Sequence, residues 1–157
     1  MKTIDFQFGD LFQNRAVITS FPNGYFDVTQ KGKGINASFV LHDANHKPLY
    51  TAHFENIAFL KRGLIVERSL GGKVGTLIPT PKFGTKFGIS LSNGQEYTMN
   101  GWSRNLEIFH GKVVVGNLKL EHMVGAKYRL LLHEDLDLAA FFLFACGAII
   151  LRDNLLL

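Results

Sequence analysis

Three short stretches of the chain place basic side chains beside glycine or phenylalanine. The basic residues are Lys31 and Lys33, Lys61 and Arg62, and Lys82 and Lys86. Ammonium groups next to flexible backbone amides can hold a phosphate, and basic residues mixed with aromatic ones can contact anionic lipid at about 1 kcal/mol per charge. The first stretch lacks the Walker pattern of nucleotide-binding loops. These six residues are the candidate anion- or lipid-binding residues, with ordinary solvated turns as the alternative.

Residue types used in catalysis and metal binding are present without the spacing that such sites need. His42 and His46 flank a predicted hairpin loop, and no cysteine or carboxylate pair completes a metal site with them. Cys146 is the single cysteine and lies in an apolar run, where burial raises a thiol pKa. Asp135 and Asp137 are placed as helix-start residues rather than as a catalytic pair, and no Gly-x-Ser-x-Gly elbow occurs. We therefore predict a protein that is not an enzyme and has no metal site and no cofactor.

Short strands are the main elements that must position these residues. From about residue 15 to residue 133, apolar and polar residues alternate in short runs, as where Tyr50, Ala52 and Phe54 are separated by polar side chains. Such alternation is typical of half-buried antiparallel strands. Turn signals such as Asn23-Gly24 and Asn93-Gly94 separate the runs. The pattern predicts ten to twelve strands.

The C-terminal region changes to an apolar run without alternation. Fourteen uncharged residues lie between Asp137 and Arg152, and a helix that is hydrophobic on every side must be buried in protein or in lipid. Fourteen residues rise about 21 Å as a helix, less than the ~30 Å hydrocarbon core of a bilayer. We predict a buried helix over about residues 136–151 with Asp135 as its N-cap, and a membrane tail anchor is the alternative.

The two regions satisfy each other's need for burial. A closed antiparallel sheet of ten or more strands has an interior too wide for its own side chains to fill, and an apolar helix would fill it. The predicted fold is therefore mainly β: a closed antiparallel barrel wrapped around the hydrophobic C-terminal helix. No linker divides the chain, which predicts a single domain over residues 1–157.

The tail KYRLLLHEDLDLAAFFLFACGAIILRDN resembles the tubby C-terminal-like superfamily, which includes LURP-one-related proteins and phospholipid scramblases. In that superfamily a final strand runs into Asp-rich sequence and then into a wholly apolar helix, here ending at Arg152-Asp153. The spacing around Gly75-Thr-Leu-Ile-Pro is also similar. The resemblance implies a small bacterial member with about twelve strands around a central helix, and a tendency to bind membrane lipid. No Asp-rich calcium loop is present, and no phosphoinositide-binding residue is carried over.

Composition restricts the partners and the compartment. The net charge is +4, from 17 basic and 13 acidic residues, which falls short of the clustered basic surface of nucleic-acid-binding proteins. An N-terminal stretch without an apolar segment is not a secretory signal, and a lone cysteine forms no internal disulfide. We expect a cytoplasmic protein that binds phospholipid or another anionic partner at the membrane surface. The alternatives are a protein-interaction or structural module without a small ligand, and a tail-anchored membrane protein.

Overall fold

The structure is a computed structural model that describes residues 1–7, 17–21, 24–32, 34–58, 61–80, 85–102, 105–122 and 127–155. The prediction of a mainly β chain with a C-terminal helix is confirmed. The strands are β1 Lys2–Gln7, β2 Val17–Phe21, β3 Gly24–Lys31, β4 Ser38–His42, β5 Pro48–Ala58, β6 Lys61–Arg68, β7 Lys73–Pro79, β8 Thr85–Leu91, β9 Glu96–Trp102, β10 Asn105–His110, β11 Val113–His122 and β12 Lys127–Leu132. A 3₁₀ turn spans Gly34–Asn36, and the helix α1 spans Leu138–Leu155.

The strands form one antiparallel sheet in which chain neighbours are also neighbours in space. The hydrogen-bonded order runs from β2 through β3 and onward to β12, and β12 pairs with β1 over six residue pairs. β1 also pairs with β2, where Asp5 lies opposite Ser20 and Phe6 opposite Thr19. Because the chain direction alternates from strand to strand, the C-terminal ends of the odd-numbered strands lie together at what we call the upper end of the sheet. The C-terminal ends of the even-numbered strands lie at the opposite end, which we call the lower end.

Alternation along each strand divides buried from exposed side chains as predicted. In β5, Ala52 and Phe54 are buried, and Tyr50 packs partly buried against the same core. In β12, the buried residues Tyr128, Leu130 and Leu132 alternate with more exposed ones. This period of two places one apolar row per strand on the inner face of the sheet.

Helix α1 lies against that inner face and is covered on all sides. Every residue from Leu138 to Leu151 is buried. Phe142 makes an edge contact with Phe6 of β1 at a ring-centroid distance of 4.8 Å, and Phe141 makes one with Tyr97 of β9 at 5.3 Å. The prediction of a buried helix is confirmed, because the apolar residues of α1 are covered by the strands of the sheet.

Gly147 brings α1 close to two further strands. A Cβ placed on this glycine would lie 2.6 Å from Leu64 Cδ2 in β6 and 3.2 Å from Leu77 Cδ2 in β7. The absence of a side chain at Gly147 thus lets the helix approach this part of the sheet more closely than any larger residue would allow.

Two local predictions differ from the structure. The predicted strand region began near residue 15, whereas β1 starts at Lys2 and places Ile4 and Phe6 in the core. The helix starts at Leu138 rather than near residue 136, because Leu136 N–H donates to His133 O and keeps that residue in a turn.

Candidate functional site

Four of the six predicted anion-binding residues lie in described segments, and all four lie toward the upper end of the sheet. Lys31 ends β3, Lys61 and Arg62 begin β6, and Lys86 is the second residue of β8. Lys31 is exposed and Lys86 is half-buried. Lys33 and Lys82 lie outside the described residues. The topology therefore places basic positions that are up to 55 residues apart in the chain at the same end of the sheet, on strands β3, β6 and β8, which are not neighbours in the sheet.

Arg62 is held by the fold at this end. Its Nε donates to the carbonyl oxygen of Ile35 at 2.7 Å, and its terminal nitrogens donate to the side-chain oxygens of Asn36 at 3.3 Å and Asn56 at 3.5 Å. These bonds tie the 3₁₀ turn to the start of β6. Because all three partners are neutral, the positive charge of Arg62 is not cancelled by them.

The described strand positions near the upper end carry fewer acidic than basic residues, the acids including Glu55, Glu107 and Glu121. Glu121 lies 3.7 Å from Arg129, and Glu55 lies 2.9 Å from His53. Lys127, which begins β12, is exposed at the same end. The described strand positions thus give the upper end an excess of positive charge.

The lower end carries both signs of charge. Its acidic residues in the described segments are Asp43, Glu67, Glu96, Glu134, Asp135 and Asp137, and its basic residues are Lys2, Lys47, Arg68, Lys73 and Lys112. Several of them are already paired: Glu134 lies 2.8 Å from the N-terminal ammonium, and Lys2 Nζ donates to Leu136 O at 2.9 Å. The two ends of the sheet therefore differ in electrostatic character.

A cleft of about 800 Å³ opens at the lower end, beside the start of α1. We call it the lower cleft. Its apolar wall includes Phe26 of β3, Leu49 of β5, and Leu138 and Ala139 of α1. Its polar lining includes Lys2, Tyr50, Arg68, Glu134 and Asp137. A concave site of this size with an apolar wall and a few polar groups has the usual form of a small-molecule site.

Asp137 fixes the start of α1 against β5 within this cleft. Its Oδ1 accepts a hydrogen bond from Ala140 N–H at 3.2 Å, and its Oδ2 accepts a short hydrogen bond from the Tyr50 hydroxyl. Asp137 is therefore the N-cap, and the prediction of Asp135 in that role is wrong by two residues. The difference follows from the later helix start, which leaves Asp135 exposed in the preceding turn.

The environment of Tyr50 favours the neutral phenol. Burial, followed by the hydrogen bond to Asp137 and its negative charge, raises the pKa of Tyr50 to about 12, against a smaller opposing effect of Arg68. At neutral pH the Tyr50 hydroxyl keeps its proton and donates it in the hydrogen bond to Asp137. It is not placed to act as a base.

Arg68 was not among the predicted site residues. It lies opposite Tyr50 in the β5–β6 register and follows Leu64 and Val66 on the inward row of β6. Within the described part of the chain, its guanidinium makes no hydrogen bond or ion pair that competes with a ligand. A sequence signal was present, because a charged residue at an inward-facing position of a strand must lie near an end of the sheet.

The other candidates, His42, His46 and Cys146, lie at a strand end, in a turn and in the buried helix, respectively. His42 ends β4 and His46 occupies the hairpin turn with a φ of 62°, as the predicted hairpin requires. The segments that the structure describes contain no group of three or more His, Cys, Asp or Glu residues able to hold a metal ion. Cys146 is 1% exposed, and burial raises the pKa of its thiol far above the usual range.

The chain was compared with family models, curated proteins and solved structures, and none of the three comparisons gave a match. Within the described residues, no helix combines the length and apolar character needed to cross a bilayer.

Proposed function

We propose that this protein is a non-catalytic β-barrel that binds anionic phospholipid through its upper end, at the cytoplasmic surface of a membrane. The observation that carries the proposal is the location of Lys31, Lys61, Arg62 and Lys86 at the same end of the sheet. Each cation near an anionic bilayer contributes about 1 kcal/mol, so several together give weak, reversible and salt-sensitive binding.

The proposed architecture is a closed barrel of twelve strands around α1, as in the tubby C-terminal-like superfamily. Pairing of β1 with both β12 and β2 supports closure, and so does burial of α1 on all sides. The contact between β1 and β2 spans two residue pairs, whereas β1 and β12 share six.

Hydrogen exchange of the β1 amides tests closure directly. Alternate amides of an antiparallel strand point to opposite neighbours, so in a closed barrel both sets in β1 are protected. If the sheet is open between β1 and β2, only the set that faces β12 is protected, because an edge strand leaves the other set unpaired. Fast exchange of that second set would contradict closure.

Sedimentation with vesicles tests lipid binding. The test variant carries Lys31→Gln, Lys61→Gln and Lys86→Gln, and it leaves Arg62 intact because that side chain holds the 3₁₀ turn. Vesicles of phosphatidylcholine with 30% phosphatidylserine should bind the unaltered protein at low salt. Removing three charges should weaken this binding by up to about 100-fold, from about 1 kcal/mol per charge.

A matched control separates position from net charge. The variant Lys47→Gln, Lys73→Gln and Lys112→Gln removes three exposed cations from the lower end and loses the same total charge. It should bind the anionic vesicles nearly as well as the unaltered protein. Equal weakening by both triple variants, or no sedimentation at low salt, would contradict a binding surface at the upper end.

A further inference from the structure

The lower cleft has a feature that lipid binding at the upper end does not use. Most of its polar groups already have a partner in the protein, although Lys2 bonds only to a neutral carbonyl and keeps its charge. Lys2 donates to Leu136 O, and Glu134 pairs with the N-terminal ammonium. The hydroxyl of Tyr50 donates to Asp137. Among the described residues, Arg68 keeps its whole guanidinium available to an incoming molecule.

The guanidinium of Arg68 selects the chemistry of its ligand. It offers only donors, in a planar fork that matches the two oxygens of a carboxylate or a phosphate. The register places it opposite Tyr50 at the end of the inward row of β6, so it lies at the mouth of the cleft rather than on the outer face of the sheet. A bound acid group would thus sit beside the start of α1.

The carboxylates that line the cleft favour a ligand with one negative charge over a ligand with two. Asp137 and Glu134 both line it, so a phosphate monoester, with close to two charges at neutral pH, is repelled more strongly than a carboxylate. The apolar part of the lining, which includes Phe26, Leu49 and Leu138, can cover a hydrocarbon body.

We propose that the lower cleft binds an amphipathic monocarboxylate, with the acid group on Arg68 and the apolar body against Phe26, Leu49 and Leu138. The volume of about 800 Å³ is in the range of sites for small organic molecules. Because the lower cleft and the cationic upper end lie at opposite ends of the sheet, this proposal does not depend on lipid binding at the upper end.

Calorimetric titration with decanoate, below its micellar concentration, tests the proposal. The unaltered protein should bind decanoate saturably with one site per chain. Arg68→Gln should weaken that binding by about 10- to 100-fold, the range for loss of a charge-assisted hydrogen bond. Lys73→Gln removes the same charge from an exposed lysine that does not line the cleft, so it should leave the affinity unchanged.

Two further measurements distinguish the acid group from the apolar body. Decanol and decyl phosphate should both bind more weakly than decanoate, the first for lack of charge and the second for excess of it. Leu49→Trp should fill part of the cleft and abolish decanoate binding while Arg68 is still present. Binding of decanoate to Arg68→Gln with unchanged affinity, or tighter binding of decyl phosphate, would overturn the proposal.

Discussion

The contact between Asp137 and Tyr50 predicts a large and specific loss of stability when Asp137 is replaced by alanine. The substitution removes two interactions at once: the cap on Ala140 N–H at 3.2 Å and the hydrogen bond from the Tyr50 hydroxyl. Loss of an N-cap costs about 1 kcal/mol, and loss of a hydrogen bond to a charged group costs about 1.5–3 kcal/mol. Since Tyr50 is only partly buried, we take the lower part of that range and expect a total of about 2–3 kcal/mol.

Urea unfolding followed by circular dichroism measures this loss, and a double-mutant cycle divides it. Tyr50→Phe alone should cost about 1 kcal/mol. In the double variant the two losses should not add, leaving a coupling of about 1 kcal/mol, as contacting residues show. Asp137→Asn should lose less than Asp137→Ala, because asparagine is as good an N-cap as aspartate.

Asp135→Ala is the matched control. It removes the same charge two residues earlier, from an exposed side chain whose nearest partner is His133 Nδ1 at 3.5 Å. The expected loss is below about 0.5 kcal/mol, as for exposed ion pairs. If Asp135→Ala cost as much as Asp137→Ala, general attraction to the helix dipole would explain the effect, and the assignment of Asp137 as cap and anchor would be refuted.

Three more predictions concern the buried helix and the phenol beside it. Cys146 should not react with Ellman's reagent in the native state and should react fully in urea, because its thiol is buried and its pKa raised; native-state labelling within minutes would contradict burial of α1. Gly147→Ala should lower the urea midpoint by the equivalent of about 1–2 kcal/mol, since overpacking against Leu64 outweighs the gain in helix propensity; an unchanged midpoint would contradict the close approach. The folded state binds the Tyr50 proton more tightly than the unfolded chain, so this contribution to stability is complete below pH 10 and is lost between pH 10 and about 12; unfolding at a series of pH values should show a smaller alkaline loss for Tyr50→Phe.

The alternation of apolar residues was enough to predict most of the strands, because each strand has one inner and one outer face. It failed to include β1, although Ile4 and Phe6 alternate with Thr3 and Asp5 in the same way. A run of six residues carries few repeats of the period, and its membership in the sheet depends on pairing with β12, about 125 residues later. Such a long-range pairing leaves no local signal in the sequence.

The candidate site was less predictable than the fold, because side-chain partners are set by contacts distant in sequence. Arg62 was predicted as an anion ligand from its neighbour Lys61, but its guanidinium also bonds to Ile35 and Asn36, 27 and 26 residues away. The identity of the N-cap depended on where the turn after β12 ended, and Asp135 and Asp137 are equally suitable residue types. For Arg68, spacing alone indicated an inward position without showing that a cleft lay in front of it.

The inward row of β6 relates the two ends of the sheet to each other. Arg62, Leu64, Val66 and Arg68 share one strand face by the period of two, and the two apolar members are fully buried while both arginines lie at the ends. A guanidinium beside the apolar middle of α1 would pay a heavy desolvation penalty, so the arginines of this row lie at its two ends. At the upper end, the 3₁₀ turn supplies carbonyl and amide oxygens, and Arg62 becomes part of the fold. At the lower end, Asp137 is occupied by Tyr50 and by the first turn of α1. The same residue type therefore has a structural partner at one end and is left for an external anion at the other.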